Sequence, residues 1–487
     1  MSMTKRPCAA PISVGHAGVL VHIAQCLDST KDVLSLLQAL PRDALDAPLT
    51  ALRTLLLTPG ALDDSHWPQV CIEDIDGQYT STVLTALPAF SSISVDNLDR
   101  LNGVLGTIYP ATAIIHFAAK WGYKITSIRV SSNVHHMDVF GRMLVHCNNL
   151  SSIRTEVHTW DAPFAAAIAC AAQSVTRIEI TAAYNNAFAS ESWLPILTAW
   201  LASGRAQHLG LRCLDFNHDT SLGRAIAAAS SLTSLSLLGV DGVVRGLLDA
   251  NVPLPNITKL RLETDSGHID VRLLSNVISL STLCALELIG NDTSDYTFVL
   301  ALLPRMLMLR DLTLQKCTLH AMPNAIDAPR HLRALSLNQC TIDGAGWDLL
   351  AWASQSPCFQ SVSLSHAEDL LATPLRFGRC LRQWMAAGVE RLVLDGTEVD
   401  HIMGAVIAMT LCDTHRRRPF ELCLDSNNLD YAAADLLIEA LTTCTGVILK
   451  FMNHSVYQDS CKLQAVAAEL QLRAVYNVPE LRIFSPS

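Results

Sequence analysis

From Leu232 onward the chain returns to one short spacing: an apolar residue, two of any kind, a second apolar residue, one of any kind, and a third apolar residue. The copies are Leu232–Leu235–Leu237, Ile257–Leu260–Leu262, Leu283–Leu286–Leu288, Leu309–Leu312–Leu314, Leu332–Leu335–Leu337, Phe359–Val362–Leu364 and Val389–Leu392–Leu394, followed by a partial copy at Leu422–Leu424. Successive copies begin 23 to 30 residues apart. Fainter copies precede them at Ile125–Ile128–Val130, Leu150–Ile153, Val175–Ile178–Ile180 and Leu211–Leu214–Phe216. No other feature constrains the fold as strongly. The last two apolar positions of each copy are two residues apart, so they share one face of a short strand. Such a strand cannot bury that face alone, but copies stacked side by side can do so as a parallel sheet. Each leucine fully buried in this way contributes about 1.5–3 kcal/mol.

Between the copies lie stretches of helical pattern: 343–356, 401–412 and 430–444. In the last of these Ala434, Leu437, Ile438 and Leu441 fall on one helical stripe. A helix on the outside of every turn lengthens the outer circumference and puts the strands on a concave inner side. After each strand a polar or thiol side chain is expected to turn inward and satisfy loop backbone groups that would otherwise be buried unpaired. Asn291, Cys317, Cys340, Thr397 and Asn427 hold that slot. Cys317 and Cys340 are therefore read as ladder residues rather than reactive or metal-binding thiols.

The period is that of leucine-rich repeats. "LCLDSNNLDYAAADLLIEAL" (422–441) resembles the ribonuclease-inhibitor-like class, and "LSLNQCTIDGAGWDLLA" resembles the cysteine-containing class found in F-box proteins. The resemblance covers about Ile125 to Phe484. The expected fold class is α/β, a leucine-rich-repeat solenoid over 125–484 with a curved parallel sheet inside and helices outside.

The N-terminal stretch is different. "VLVHIAQCL" places Leu20, Ile23 and Leu27 on one helical face, "DSTKD" supplies a turn with Asp28 or Ser29 as N-cap, and a second helix carries Val33, Leu34, Leu36, Leu37 and Leu40 up to Pro41. This helical motif, 11–43, resembles the F-box. That resemblance implies docking of Leu20, Ile23, Leu27, Val33, Leu34 and Leu37 onto a Skp-type adaptor of a cullin–RING ubiquitin ligase. A hairpin that merely caps the solenoid has the same pattern. Residues 44–124 read as a connecting module or as further degenerate repeats, with a strand at 70–75 and a helix at 111–123.

Composition excludes several function classes. Net charge is −10, and the one basic cluster, "HRRRP" (415–419), reads as a solvated run between elements. Nucleic-acid binding needs a concentrated basic footprint, so no nucleic-acid partner is expected. Mean hydropathy is +0.28, but the longest small-apolar runs are about nine residues against roughly 20 for a membrane span. No membrane association is expected. Fifteen cysteines without a CxxC pair suit a reducing compartment, cytoplasm or nucleus. The chain lacks GxSxG, HExxH, P-loop and GxGxxG motifs. His135, His136, His218, His268, His320 and His366 have neither i,i+4 partners nor nearby cysteine pairs, so they read as polar loop residues. The expectation is no enzyme, no cofactor and no metal.

What remains is the face that alternates with the ladder. Its expected partner-binding residues are Lys259, Arg261, Glu263, Glu287, Asp311, Gln315, Asn338, Arg391, Asp395, Glu421 and Asp425, with Ser336, Ser361, Ser363 and Ser365 between them and Arg129, Arg154, Arg177 and Glu179 on earlier copies. The row is charged at each end, small and polar in the middle, and free of aromatics. It suits charge-guided binding of a protein or peptide. The resemblance implies a substrate-recruiting subunit of a ubiquitin ligase; the alternative is a scaffold or inhibitor whose hairpin is only a cap.

Overall fold

The protein was analysed as a computed structural model, which describes residues 16–62, 66–106, 113–131, 137–157, 166, 168–169, 171, 174–182, 193–214, 220–263, 274–320, 327–341, 344–367, 373–397, 399–413, 418–425, 431–451, 460–477 and 480–486. Residues 11–15 of the N-terminal motif, the basic residues 415–417, Phe216, Asn427 and the histidines 135, 136, 218 and 268 lie outside that set. The chain forms two compact units, Met1–Ala206 and Gln207–Ser487.

In the second unit the leucine spacing becomes a parallel sheet. Its strands are β6 (His208–Arg212), β7 (Ser234–Leu238), β8 (Lys259–Glu263), β9 (Ala285–Asp295), β10 (Asp311–Thr318), β11 (Ala334–Asn338), β12 (Ser361–Ser363), β13 (Arg391–Val393), β14 (Phe420–Cys423) and β15 (Val447–Phe451). Each pairs in parallel with the next. The register aligns one apolar position across the whole series: Leu235, Leu260, Leu286, Leu312, Leu335, Val362, Leu392, Leu422 and Leu449. All are buried, none more than 5% exposed. The leading apolar residues of the copies, Leu232 through Val389, are buried as well.

Helices return the chain between strands, among them Gly344–Ala353, Pro374–Ala387, His401–Asp413 and Tyr431–Leu441. The stripe Ala434, Leu437, Ile438 and Leu441 is fully buried at 0% exposure. Neighbouring helices approach closely enough to demand glycine. A Cβ at Gly223 would collide with the Val243 carbonyl, and one at Gly246 with the Thr220 carbonyl. After β15 the topology changes: β17 (Glu480–Phe484) pairs antiparallel with β15 and with β16 (Arg473–Asn477), so the last parallel strand is not left as an open edge.

The inward slot holds thiols as expected. Cys317 and Cys340 are 2% and 3% exposed, and the Cys340 thiol donates to the Leu314 carbonyl at 3.2 Å. The neighbouring Cys340 sulfur at 3.5 Å, and after it burial, push the Cys317 thiol up. Thr397, 1% exposed, donates to the Leu394 carbonyl. Asn291 differs: β9 runs on to Asp295, and Asn291 stays half-buried, its side-chain oxygen accepting from the Ser294 hydroxyl.

The first unit is built on the same plan with fewer leucines. β1 (Gln69–Cys71), β2 (Ser92–Val95), β3 (Ile125–Ser131), β4 (Ser152–Val157) and β5 (Arg177–Ala182) are parallel neighbours. Val70, Ile93, Val95, Ile128, Ile153 and Ile178 fill the ladder at 0% exposure. Residues 44–124 thus contribute two strands, β1 and β2, to this parallel sheet. The strand expected over 70–75 ends at Cys71, because Ile72–Asp74 turn as a 3-10 helix and bury Glu73. The helix expected over 111–123 is Ala113–Trp121.

The hairpin is α1 (His16–Gln25) and α2 (Thr30–Ala39), with Ser29 as the N-cap of α2. It is fastened to the carbonyls that end the turn Leu87–Ala89. Gln25 Nε2 donates to the carbonyls of Ala89 and Phe90, both at 3.0 Å. Trp67, packed on Phe90, donates its indole N–H to the Leu27 carbonyl at 2.8 Å. Lys124 reaches the same turn and donates to the carbonyls of Leu87, Pro88 and Phe90. Among the described residues no helix is long and apolar enough to cross a membrane.

Truncating a rung tests this architecture. Leu312→Ala should cost about 2–5 kcal/mol by urea denaturation, whereas Asp311→Ala on the exposed side of the same strand should stay within about 0.5 kcal/mol.

Candidate protein-binding face

Because side chains alternate along a strand, every residue beside a ladder leucine points to the opposite face. The parallel register turns those residues into rows. One row runs Gly210, Ser236, Arg261, Glu287 and Thr313, then Ser336, Ser363, Val393, Cys423 and Lys450. Arg482 of β17 continues it as the partner of Lys450.

The structure brings the expected charges together as pairs across adjacent strands. Arg261 Nε lies 3.0 Å from Glu287 Oε1, and Gln315 donates to the same oxygen at 3.1 Å. Arg391 Nε lies 3.5 Å from Glu421 Oε1, which also accepts from the Cys423 thiol at 3.2 Å. The first unit repeats the device with Arg129–Glu156 at 3.8 Å and Arg154–Glu179 at 3.0 Å. Lys259 and Asp311 are exposed and Glu263 is half-buried. Asp395 accepts from the Asp425 backbone N–H at 3.3 Å, and burial raises its carboxyl above the usual aspartate range. Cys423 is 1% exposed and contributes no surface.

The middle of the face is low and polar. Asn338 Oδ1 accepts from the Ser336 hydroxyl at 3.0 Å and from the Ser363 hydroxyl at 3.4 Å, and Ser363 and Ser365 lie 3.3 Å apart. Short hydroxyl side chains there leave room for bulky groups from outside. The flanking ion pairs hold the long side chains aside, and pairs as exposed as Arg391–Glu421 (53% and 32%) are worth only about 0–1 kcal/mol. They can exchange partners cheaply.

Three further charged side chains on this face escape the repeat spacing. Glu480 Oε1 lies 2.9 Å from Lys450 Nζ and 2.7 Å from Arg482 Nε. Lys450 and Glu480 are each only 16% exposed. Arg482 and Lys450 hold the Glu480 carboxyl below the usual glutamate range. The sequence signal was the alternation in "VILKF" (447–451) and "LRIF" (481–484); their antiparallel pairing is not contained in a period.

The expected adaptor-binding set divides by burial. Val33 and Leu37 are 0% exposed and belong to the first unit's core. Leu20, Leu27 and Leu34 are half-buried. Ile23 is 44% exposed and Val19 47% exposed on α1.

No protein-family model matches the chain, and no curated protein matches its sequence. Among solved structures it is similar to one from the crystal structure of the Rad7 and Elc1 complex in yeast, at 12% identity and a TM-score of 0.43, with 86% of this chain and 90% of that one covered. It is also similar to the leucine-rich-repeat protein LIC12759 of Leptospira interrogans, at 12% identity and a TM-score of 0.34, covering 75% and 91%. A third likeness is to the leucine-rich-repeat-containing protein LegL7 of Legionella pneumophila, at 13% identity and a TM-score of 0.34, covering 71% and 97%.

The Lys450–Glu480–Arg482 cluster makes a pH prediction. A carboxyl whose value is lowered on folding stabilises the fold above its ordinary value of about 4.5 and loses that contribution as pH falls through the folded value. Glu480→Gln should therefore be less stable than wild type at pH 7, with the gap closing as pH falls toward 3, measured by thermal melts across that range.

Proposed function

We propose that the chain is a non-catalytic recognition module that holds a protein or peptide on the strand face of its second unit. The observation that carries this reading is the arrangement of that face: the small polar centre of Thr313, Ser336 and Ser363 is flanked by Arg261–Glu287 on one side and Arg391–Glu421 on the other. Protein hot spots favour Trp, Tyr and Arg. This face supplies the arginines and leaves the low centre for large side chains from the partner. Its flanking arginines already lie against glutamates, so docking need not bury either of them alone.

A finer form of the reading gives the captured partner a fate. The F-box-like resemblance implies that α1 docks on a Skp-type adaptor and so raises the effective concentration of the partner at a ubiquitin ligase. What favours it is the apolar surface left by Val19 and Ile23. What favours a capping role is the burial of Val33 and Leu37 and the fastening of Gln25 and Leu27 to the first unit.

Two substitutions separate the parts. Ser336→Arg with Ser363→Arg should abolish retention of partners that co-purify with wild type while moving the melting temperature by no more than a few degrees. Unchanged partners with the double variant would reject the strand face. Ile23→Asp should abolish capture by an immobilised Skp-type adaptor and leave the fold intact. A folded wild-type chain that ignores the adaptor leaves α1 and α2 as a cap.

A further inference from the structure

We propose that Cys317 and Cys340 are an oxidisable pair that hydrogen peroxide closes into a disulfide, stapling two neighbouring turns of the second unit. Their sulfurs lie 3.5 Å apart, the one hydrogen-bonded contact between two thiols among the described residues. The fold places them opposite each other. β10 and β11 pair Gln315 with Asn338, and each cysteine stands two residues beyond that pair. The residues between, Lys316 and Gln339, both turn left-handed, at φ 49° and 50°, so the two chains bend alike before their cysteines. The Thr341 backbone N–H then donates to the Cys317 carbonyl and keeps the two chains side by side.

This spacing is that of a disulfide. Facing residues on adjacent strands lie about 4.7–4.9 Å apart, inside the roughly 4.4–6.8 Å between Cα atoms that the bond spans. The sulfurs need to approach by only about 1.5 Å to reach bonding distance. Packing in the ladder and linkage use the same geometry, because both keep the two side chains turned inward.

The chemistry needs one oxidant and no further group. The Cys317 thiol donates to the Cys340 sulfur and holds the Cys340 thiol below its usual value, so Cys340 is the better nucleophile. Its thiolate attacks one peroxide oxygen, the O–O bond breaks, and the departing hydroxide takes up a proton as water. Cys340 is left as a sulfenic acid. Cys317 then loses its proton, its sulfur attacks the Cys340 sulfur, and the S–O bond breaks with release of a second water. The two sulfurs together give up two electrons and the peroxide takes them. The thiols are 2% and 3% exposed, so the oxidant enters when these turns open locally. The closed bond spans 23 positions and restricts the unfolded chain. It also ties together the rungs that carry Thr313 and Ser336 in the middle of the strand face.

The test treats the reduced, folded full chain with hydrogen peroxide, blocks remaining thiols with iodoacetamide, and maps the peptides by mass spectrometry, with thermal melts in parallel. Wild type should lose about 2 Da as one disulfide forms, the linked peptides should contain Cys317 and Cys340, and the melting temperature should rise by several degrees. Dithiothreitol should reverse both changes. Cys317→Ala and Cys340→Ala should each abolish the linkage and the rise, whereas Cys358→Ser should keep both. The pair is overturned if Cys317 and Cys340 are recovered fully alkylated after peroxide treatment, or if they link only once the chain has been unfolded in urea. A linked chain that melts no higher than the reduced one would overturn the staple.

Discussion

Everything described depends on the burial of one apolar side chain per turn against its counterpart on the next strand. No strand of three to eleven residues could bury such a face by itself, and none of the helices between them has an independent core. The stack is stable because each rung covers its neighbours, with leucines worth about 1.5–3 kcal/mol apiece when fully buried. That constraint also fixes the chemistry of the other face. Once Leu286, Leu312 and Leu335 align, the residues beside them align too, and scattered charges become rows.

Where the ladder chemistry stops, polar chemistry takes over. At the start of the first unit the carbonyls of residues 87–90 take donors from Gln25 and Lys124, so a turn that would bury unpaired oxygens becomes the attachment point for the hairpin. At the end of the second unit the last parallel strand is covered by β17 running the other way, and Lys450, Glu480 and Arg482 lock the seam.

The rungs from Leu232 to Leu394 could be read from the sequence because leucine at alternate positions, a helical stretch and a return after 23 to 30 residues all say the same thing. β1 and β2 were harder: their ladder is Val70, Ile93 and Val95, with no leucine to mark the spacing, and Glu73 ends β1 early by folding inward. The face residues themselves were legible from alternation within each strand. Their pairing was not, since Arg261 meets Glu287 and Arg391 meets Glu421 only through the register between strands. The hairpin showed its two helices but not which apolar residues face inward, because burial of Val33 and Leu37 depends on how α2 packs against the helix that follows it, Ala47–Leu57, and not on the spacing within α2.

A double-mutant cycle tests the alignment of rungs most directly. Leu312 and Leu335 are register partners on adjacent strands, whereas Leu312 and Leu422 lie several strands apart. Contacting residues couple by about 0.5–3 kcal/mol and distant ones add within about 0.5 kcal/mol. Urea denaturation of the single and double alanine variants should show coupling in that range for Leu312 with Leu335 and additivity for Leu312 with Leu422. Simple additivity in both cycles would contradict the stacked ladder.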